Sequence, residues 1–347
     1  MTTFKGPGFE TVPQGLKPLS IPTHCGTAKA VPFQSKINPS HRTILRWLAL
    51  AILAVVMFPA LQAEPHCPGN VASIRPRFVG SSLITVPVML DNTGPYDFVL
   101  DTGAQITTID PVLAAQLHPV PLGATHVTGA GTYSQAAYAQ LELLQAGMYF
   151  IKNPLILIQD LKQIQQTDAR IRGILGENFL EHYDLLIDYA HRILCLDETK
   201  QLQEKVKGER IALMPVPHAD QYQPFTQPMI VSTRVSGVAD RPLLLQLDSG
   251  IDVLLLFEYG KQLTRVQTIG SSQNHRNPDE VSQAFAVLPP QDMRVGNHFF
   301  RQVSFVTPLA AGRDIPVKPD VDGVLPTSLF RSVFISYADH FAVLEPQ

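Results

Sequence analysis

Short apolar stretches alternate with turn residues along most of the chain after residue 78. Residues 83–90 and 96–100 are two such stretches, and residues 91–95 between them include Asn and Gly. Apolar and β-branched residues bounded by such turns predict a β-hairpin. The chain also contains 29 Pro and 22 Gly, which favours many short strands over long helices. A short helix is predicted from Pro111, with Asp110 as its N-cap.

The pattern of the first half recurs in the second half. Residues 229–235, a turn and residues 243–247 predict a second hairpin, and residues 322–330 mirror residues 172–180. Chance duplication of one turn does not carry its downstream partner along at nearly equal separation. The repeat therefore predicts two similar lobes, which we place at residues 71–197 (the first lobe) and 229–345 (the second lobe). The polar and Pro-rich residues 198–228 between them predict an interlobe linker.

In each lobe an apolar strand runs directly into an acid, a hydroxyl residue and a glycine. The two triplets are Asp101-Thr102-Gly103 and Asp248-Ser249-Gly250. A carboxylate at the end of a buried strand is costly unless a partner compensates it, so the two acids are predicted to pair with each other. Either triplet alone is an ordinary turn sequence. The prediction depends on the matching places of the two triplets in the repeat.

These triplets resemble the Asp-Thr/Ser-Gly signature of the aspartic peptidases, the pepsin-like and retropepsin-like families. Residues 171–180 are similar to the second signature of those families, in which Gly leaves room beside the Asp loop. The resemblance covers residues 78–345 and implies an all-β, bilobal acid-protease β-barrel fold. A pseudo-twofold internal repeat and a few short helices belong to this fold. The lobes are short for a pepsin and resemble two fused retropepsin-type units.

The resemblance implies an aspartic endopeptidase in which Asp101 and Asp248, one from each lobe, activate a water molecule to hydrolyse a peptide bond. It implies a peptide or protein as substrate, a monomeric chain, and no cofactor or metal. The loop-bracing residues that it implies are Thr102, Gly103, Ser249 and Gly250.

A predicted hairpin tip at residues 127–134 resembles a short flap over the substrate. The substrate-contacting residues implied here are Gly129, Gly131 and Tyr133, and the alternative is a plain surface hairpin. Residues 270–280 of the second lobe are polar and resemble the plain loop that replaces a flap, which predicts one lid in total.

One departure from the family pattern is Pro326, which stands where the first lobe has Gly176. Pro has no N–H and a fixed φ, so packing beside the Asp248 loop is expected to differ. This leaves an alternative function open, a non-catalytic protein that holds a peptide or a partner in the cleft of the same fold. A third alternative is an anchored structural module without an open cleft.

The N-terminal region predicts export. Residues 1–42 predict a disordered basic tail, and residues 43–63 predict a signal peptide or a signal anchor, with Arg42 and Arg46 before the apolar run. The alternative is a buried soluble helix. Either form of signal places the body of the chain outside the cytoplasm, periplasmic or extracellular, with an inner-membrane anchor if the segment is retained. Cys67 and Cys195 would then lie in an oxidising compartment, as a pair or as two separate thiols.

Other chemistries find little support in the sequence. The formal net charge of −3 gives no reason to expect nucleic acid. The eleven His residues are scattered without zinc-ligand spacing. Asp110, Asp184 and Asp188 are expected to be helix caps or surface acids at turns.

Overall fold

The structure is a computed structural model that describes residues 66–69, 71–80, 82–128, 133–215, 226, 228–257, 267–269, 284–309 and 321–347. All of these residues lie in the unit formed by residues 64–347. The predicted tail and leader, residues 1–63, therefore lie outside the described residues. No helix in the described part of the chain combines the length and the apolarity that a bilayer crossing requires.

Short strands dominate both lobes. The first half of the described chain contains β1 Ser73–Ile74, β2 Arg77–Val79, β3 Leu83–Leu90, β4 Thr93–Leu100, β5 Thr108–Ile109, β6 Val120–Thr128, β7 Tyr133–Gln140, β8 Leu143–Ala146, β9 Tyr149–Lys152, β10 Leu155–Ile158, β11 Ile171–Leu175, β12 Asp184–Asp188 and β13 Ile193–Asp197. The second half contains β14 Arg210–Ala212, β15 Ile230–Val235, β16 Leu243–Asp248, β17 Leu254–Leu256, β18 Gln267–Ile269, β19 Ala284–Val287, β20 Gln291–Val295, β21 His298–Val303, β22 Phe305–Leu309, β23 Gly323–Pro326, β24 Phe330–Ser336 and β25 Phe341–Pro346.

The helices of the described chain are few and short. They are α1 Pro111–Leu117, α2 Lys162–Gln165, α3 Glu177–Leu180, α4 Gln201–Lys205 and a 3-10 helix at Thr327–Leu329. The helix predicted after Asp110 is confirmed, because the Asp110 carboxylate accepts hydrogen bonds from the N–H groups of Val112 and Leu113. This is the usual way in which Asp satisfies the first donors of a helix.

The strand order of the two lobes is the same. Among the described residues, the first-lobe sheet has the order β6-β7-β10-β5-β11-β4-β3-β8-β9, with β2 added on β3, and the second-lobe sheet has the order β18-β19-β22-β17-β23-β16-β15-β20-β21. Each strand of the second sheet thus has a counterpart at the same place in the first. The fold is mostly β with two curled half-barrel sheets, and the predicted bilobal all-β class is confirmed.

A third sheet joins the lobes. Its order in the described chain is β1-β13-β12-β24-β25-β14, and its centre is the antiparallel pairing of β12 with β24, in which Leu186 lies opposite Phe334. The predicted linker contributes to this sheet, because β14 pairs with β25. Residues 198–228 are therefore in part an ordered component of the joint between the lobes.

The joint also buries side chains that sequence reasoning placed elsewhere. Asp184 was expected at a turn as a cap or surface acid, but it is the first residue of β12, is 5% exposed, and lies opposite Asp197 and Ser336. Cys67 and Cys195, both buried, form a disulfide that ties the segment before β1 to β13. This decides between the two alternatives that the sequence left open for these thiols.

The first hairpin is confirmed and is tighter than expected. β3 and β4 pair in antiparallel register, with Val86 opposite Phe98. The reversal is made by Asp91 and Asn92, which both have positive φ, at 46° and 64°. Short polar side chains tolerate this backbone region better than bulky residues do. The turn fixes the register of β4 and therefore the place where Asp101 emerges.

Candidate active site

Each candidate acid follows the buried end of a strand. Phe98, Val99 and Leu100 of β4 are fully buried, and Asp101 after them is half-buried. The parallel neighbour β11 extends this order into the loop, because the Asp101 N–H donates to the carbonyl of Leu175 at 3.0 Å. The sheet therefore fixes where the Asp101 loop leaves it.

Backbone donors hold the carboxyl groups within their own loops. Asp101 Oδ1 accepts hydrogen bonds from the N–H groups of Gly103 at 2.7 Å and Ala104 at 3.0 Å. Asp248 Oδ1 accepts one from Gly250 N–H at 2.7 Å. Hydrogen bonds of this kind fix the orientation of a carboxyl group.

Thr102 and Ser249 clasp the two loops together across the lobe boundary. Thr102 Oγ1 donates to the carbonyl of Leu247 at 3.1 Å and accepts from Ser249 N–H at 3.1 Å. Ser249 Oγ donates to the carbonyl of Leu100 at 2.8 Å and accepts from Thr102 N–H at 3.1 Å. Both side chains are at most 2% exposed. Four reciprocal hydrogen bonds in a buried setting fix the position of one loop relative to the other.

The glycines allow the acids of opposite lobes to approach. A Cβ atom at Gly103 would lie 2.2 Å from Oδ2 of Asp248, and one at Gly250 would lie 2.5 Å from Cγ of Asp101. Real Cβ atoms essentially never come this close to another heavy atom. Each carboxyl group therefore lies against the loop of the other lobe, so Asp101 and Asp248 face the same space.

Gln246 is a member of the site that sequence reasoning did not identify. It is 1% exposed, and its Nε2 donates to the carbonyl of Gly103 at 3.3 Å, so it links the second lobe to the first-lobe loop. A signal was present in the sequence, because an amide side chain interrupts the apolar strand that leads to Asp248. A buried amide requires a partner, and a partner from another element is informative.

Two tyrosines, Tyr189 and Tyr337, stand at matching places in the repeat. Tyr189 Oη and Thr327 Oγ1 form a hydrogen bond of 2.6 Å, and burial raises the pKa of Tyr189. Burial also raises the pKa of Tyr337, which is 5% exposed, and the charges of Glu177, Glu181 and Asp101 add to the effect. Both phenols therefore stay neutral over the physiological range. Their repetition was visible in the sequence, but it assigned them no role.

The Pro326 departure is matched by a second substitution. In the first lobe, Gly176 N–H donates to Thr107 Oγ1 at 3.2 Å, and Thr107 is also tied to Asn178. Leu254 occupies the place of Thr107 in the second lobe, six residues after the acid, and it has no hydroxyl. Pro326 has no N–H, so the second lobe lacks both the donor and the acceptor of this hydrogen bond. β23 pairs in parallel with β16 up to Asp248 opposite Pro326. The Asp248 loop is therefore supported by its sheet, with a 3-10 helix after the proline where the first lobe has α3.

A cavity opens beside the Asp248 loop. It has a volume of about 330 Å³, and Ser249, Gly250 and Ile251 line it on one side, with Leu83 and Ile164 of the first lobe on the other. Its lining combines these apolar residues with polar ones such as Ser82, Thr167 and Asp252, and it reaches the site through Gly250, against which Asp101 lies.

The structure leaves the flap prediction open. Gly129 and Gly131 lie outside the described residues, as does the polar second-lobe segment 270–280. Tyr133 is the first residue of β7, where its backbone pairs with Thr128 at the end of β6. The hairpin that would carry a lid is thus present, and its tip remains a prediction.

No group of three or more His, Cys, Asp or Glu side chains within the described ranges is placed to hold a metal ion. The chemistry that the site supports is that of two carboxyl groups around one small space.

Comparison with known proteins gives one family. No curated relative matches the chain. Residues 86–179, which run from β3 to α3 and include the Asp101 loop, match the family model described as aspartyl protease. With two half-barrel sheets of equal strand order, this match is consistent with an aspartic peptidase of the pepsin and retropepsin type.

Proposed function

We propose that the chain is an aspartic endopeptidase whose catalytic residues are Asp101 and Asp248. The observation that carries this proposal is the contact of each acid with the opposite glycine, Gly103 or Gly250, which turns both carboxyl groups toward one space. The family match at residues 86–179 supports a protease-like function and contains only the first acid. The role of the second acid rests on the geometry and the repeat.

The mechanism follows from two carboxyl groups that share one site. Two like charges around one small space disfavour double ionisation, so the pair holds one proton. The ionised partner takes a proton from a water molecule, which attacks the carbonyl carbon of the scissile peptide bond. The neutral partner transfers its proton to the carbonyl oxygen, and the resulting intermediate is a neutral tetrahedral gem-diol. Collapse of the gem-diol, with proton transfer to the amide nitrogen, breaks the C–N bond.

The loop clasp supports this chemistry. Thr102 and Ser249 keep the two acids in register, and Gln246 holds the Gly103 carbonyl. Catalytic groups that shift by about 1 Å lose about 100-fold in rate. A buried network that spans the lobes is suited to prevent such shifts.

The test is peptide cleavage by the purified chain, its Asp101→Asn and Asp248→Asn variants and the double variant. Each single variant is expected to lose essentially all activity, because one acid cannot act as base and proton donor together. The double variant should be no worse, since residues that act as a unit are non-additive. Circular dichroism should show that all three variants still fold.

Wild-type cleavage by Asp248→Asn would refute the two-lobe mechanism. Full cleavage by both single variants would show that neither acid is required and that another group carries the activity. Binding of a labelled peptide without cleavage by the wild type would favour the non-catalytic alternative.

We also propose that the body of the chain lies outside the cytoplasm, with residues 43–63 as signal peptide or anchor. The buried Cys67–Cys195 disulfide supports this location, because such bonds persist in oxidising compartments. A reporter that requires an oxidising compartment, fused after Gln347, should be active. Activity of a cytoplasmic reporter alone would contradict the proposal.

A further inference from the structure

The outer face of the second lobe carries an arginine pair that its fold does not require. Arg234 of β15 and Arg294 of β20 lie directly opposite each other in the antiparallel ladder, and both are exposed. Phe299 of β21 is the next partner of Arg294 across the sheet and is 56% exposed. Like charges at opposite positions destabilise a sheet, and exposed aromatic rings add nothing to the core. We call these three residues the Arg-Phe surface.

The Arg-Phe surface lines a cavity. The cavity has a volume of about 350 Å³, and the turn residues Ser236 and Gly237 also line it. It is a shallow, open depression on the surface of the lobe.

The charge of the cavity is positive. Arg241, a further lining residue, is neutralised by a bidentate ion pair with Asp322. Asp292 also lines the cavity and keeps its negative charge, because the Gln302 N–H groups that donate to its Oδ1 at 3.0 and 3.2 Å are neutral. Arg234 and Arg294 outweigh this single acid by one charge. Arg234 has no ion pair within the described ranges, and the one hydrogen bond seen there for Arg294 goes from Nε to the carbonyl of Gly296. Both guanidinium groups therefore have donors to offer to a ligand.

The first lobe provides an internal comparison. Its equivalent ladder places Met89 opposite Gln145, and Gln145 opposite Phe150, which is 53% exposed. The repeat thus keeps the exposed Phe and replaces Met and Gln by the two arginines. The aromatic residue follows from the shared architecture, but the arginine pair is specific to the second lobe.

We propose that the Arg-Phe surface binds an acidic peptide segment, with carboxylates on the arginines and an apolar side chain on Phe299. Guanidinium groups match carboxylates with parallel N–H donors. A bound carboxylate would also relieve the repulsion between Arg234 and Arg294. Charge complementarity therefore gives the site a preference for acidic segments. The proposal does not depend on proteolysis, and its site lies on strands other than those that end at the two acids.

The test is fluorescence anisotropy of a labelled peptide of Glu and Phe, titrated with the purified full chain. The same peptide with Gln in place of Glu is the control ligand. Tight binding is expected only for the Glu peptide and should weaken as salt rises. The Arg234→Gln/Arg294→Gln double variant should bind about tenfold more weakly.

Matched variants test the specificity of the surface. Lys152→Gln/Lys162→Gln removes the same charge from exposed residues of the first lobe and should leave binding unchanged. Phe299→Ala should weaken binding severalfold, whereas Phe150→Ala, at the equivalent place, should not. Thermal melting followed by circular dichroism checks that each variant folds.

Three results would overturn the proposal. The first is equal binding of the Glu and Gln peptides, and the second is an equal loss in the lysine control variant. The third is a combination of two observations: the chain cosediments with phosphatidylglycerol vesicles only when both arginines are present, and it does not bind the Glu peptide. That combination would make the surface a membrane contact.

Discussion

Removal of one hydroxyl group from the loop clasp should destabilise the whole molecule. In Thr102→Val the side chain keeps its shape but loses Oγ1, which donates to the Leu247 carbonyl and accepts from Ser249 N–H. Since Thr102 is fully buried, water does not replace these bonds. Each of the two buried groups left without a partner costs about 1–3 kcal/mol, so the free energy of unfolding should fall by about 2–6 kcal/mol.

Two further variants calibrate this loss. Thr102→Ser retains the oxygen and should lose about 1 kcal/mol or less for the missing methyl group; Ser249 already performs the same role in the other lobe. Thr93→Val removes an exposed hydroxyl that donates to the Leu90 carbonyl at 2.8 Å. Solvent can take over that bond, so its cost should stay near or below about 0.5 kcal/mol.

The assay is urea unfolding followed by circular dichroism, with the free energy extrapolated to water for all four proteins. The expected order of stability is wild type, then Thr93→Val and Thr102→Ser together, then Thr102→Val well below them. If Thr102→Val lost no more than Thr93→Val, the clasp would contribute nothing to stability and the reasoning would be refuted. Cleavage rates measured in parallel should fall with Thr102→Val and remain near wild type with Thr102→Ser.

Three more predictions follow from the joint between the lobes and its site. Gly103→Ala should abolish peptide cleavage, because the added Cβ would lie 2.2 Å from Asp248 Oδ2 and displace that carboxyl group; wild-type cleavage would contradict the close approach of the loops. Burial raises the pKa of Asp184, so the folded state binds this proton more tightly than the unfolded state does. The contribution of Asp184 to stability is therefore present at acid pH, and it is lost as pH rises from about 3.9 toward the folded pKa. Asp184→Asn should therefore raise the melting temperature near neutral pH but not at acid pH, and an equal effect at both would refute this. Replacement of Cys67 and Cys195 by Ala opens a loop with a sequence separation of 128 residues and should lower the free energy of unfolding by about 2–5 kcal/mol; stability that resists both this change and reducing agent would show that the bond contributes little.

Sequence patterns predicted the structural features that depend on residues close together in the chain. The hairpin of β3 and β4, its recurrence in the second lobe as β15 and β16, and the helix capped by Asp110 follow from strand and cap preferences that act over a few residues. Because equal lobes imply an axis between them, the sequence also predicted that Asp101 and Asp248 meet. The structure places both acids on that boundary.

Features that depend on long-range packing could not be predicted in the same way. The burial of Asp184 results from the joint sheet, whose strands come from chain segments about 150 residues apart, such as Asp184 opposite Ser336. The pairing of Cys67 with Cys195 requires a distance that the sequence does not contain. The partner of Gln246 is a carbonyl in the other lobe, so its role became visible only when the lobes were placed together.

The joint sheet also has a consequence for the time at which the protein matures during synthesis. β12 emerges from the ribosome long before its partner β24, and β25 and β14 can pair only after residue 346 has left the exit tunnel. Until then, the sheet that joins the lobes is incomplete, even though both acid loops have already been synthesised. Strands that are exposed while they await distant partners are open to chaperones and to aggregation. An activity that requires both lobes would therefore stay latent throughout translation, which would protect the cell that makes the protein from premature cleavage.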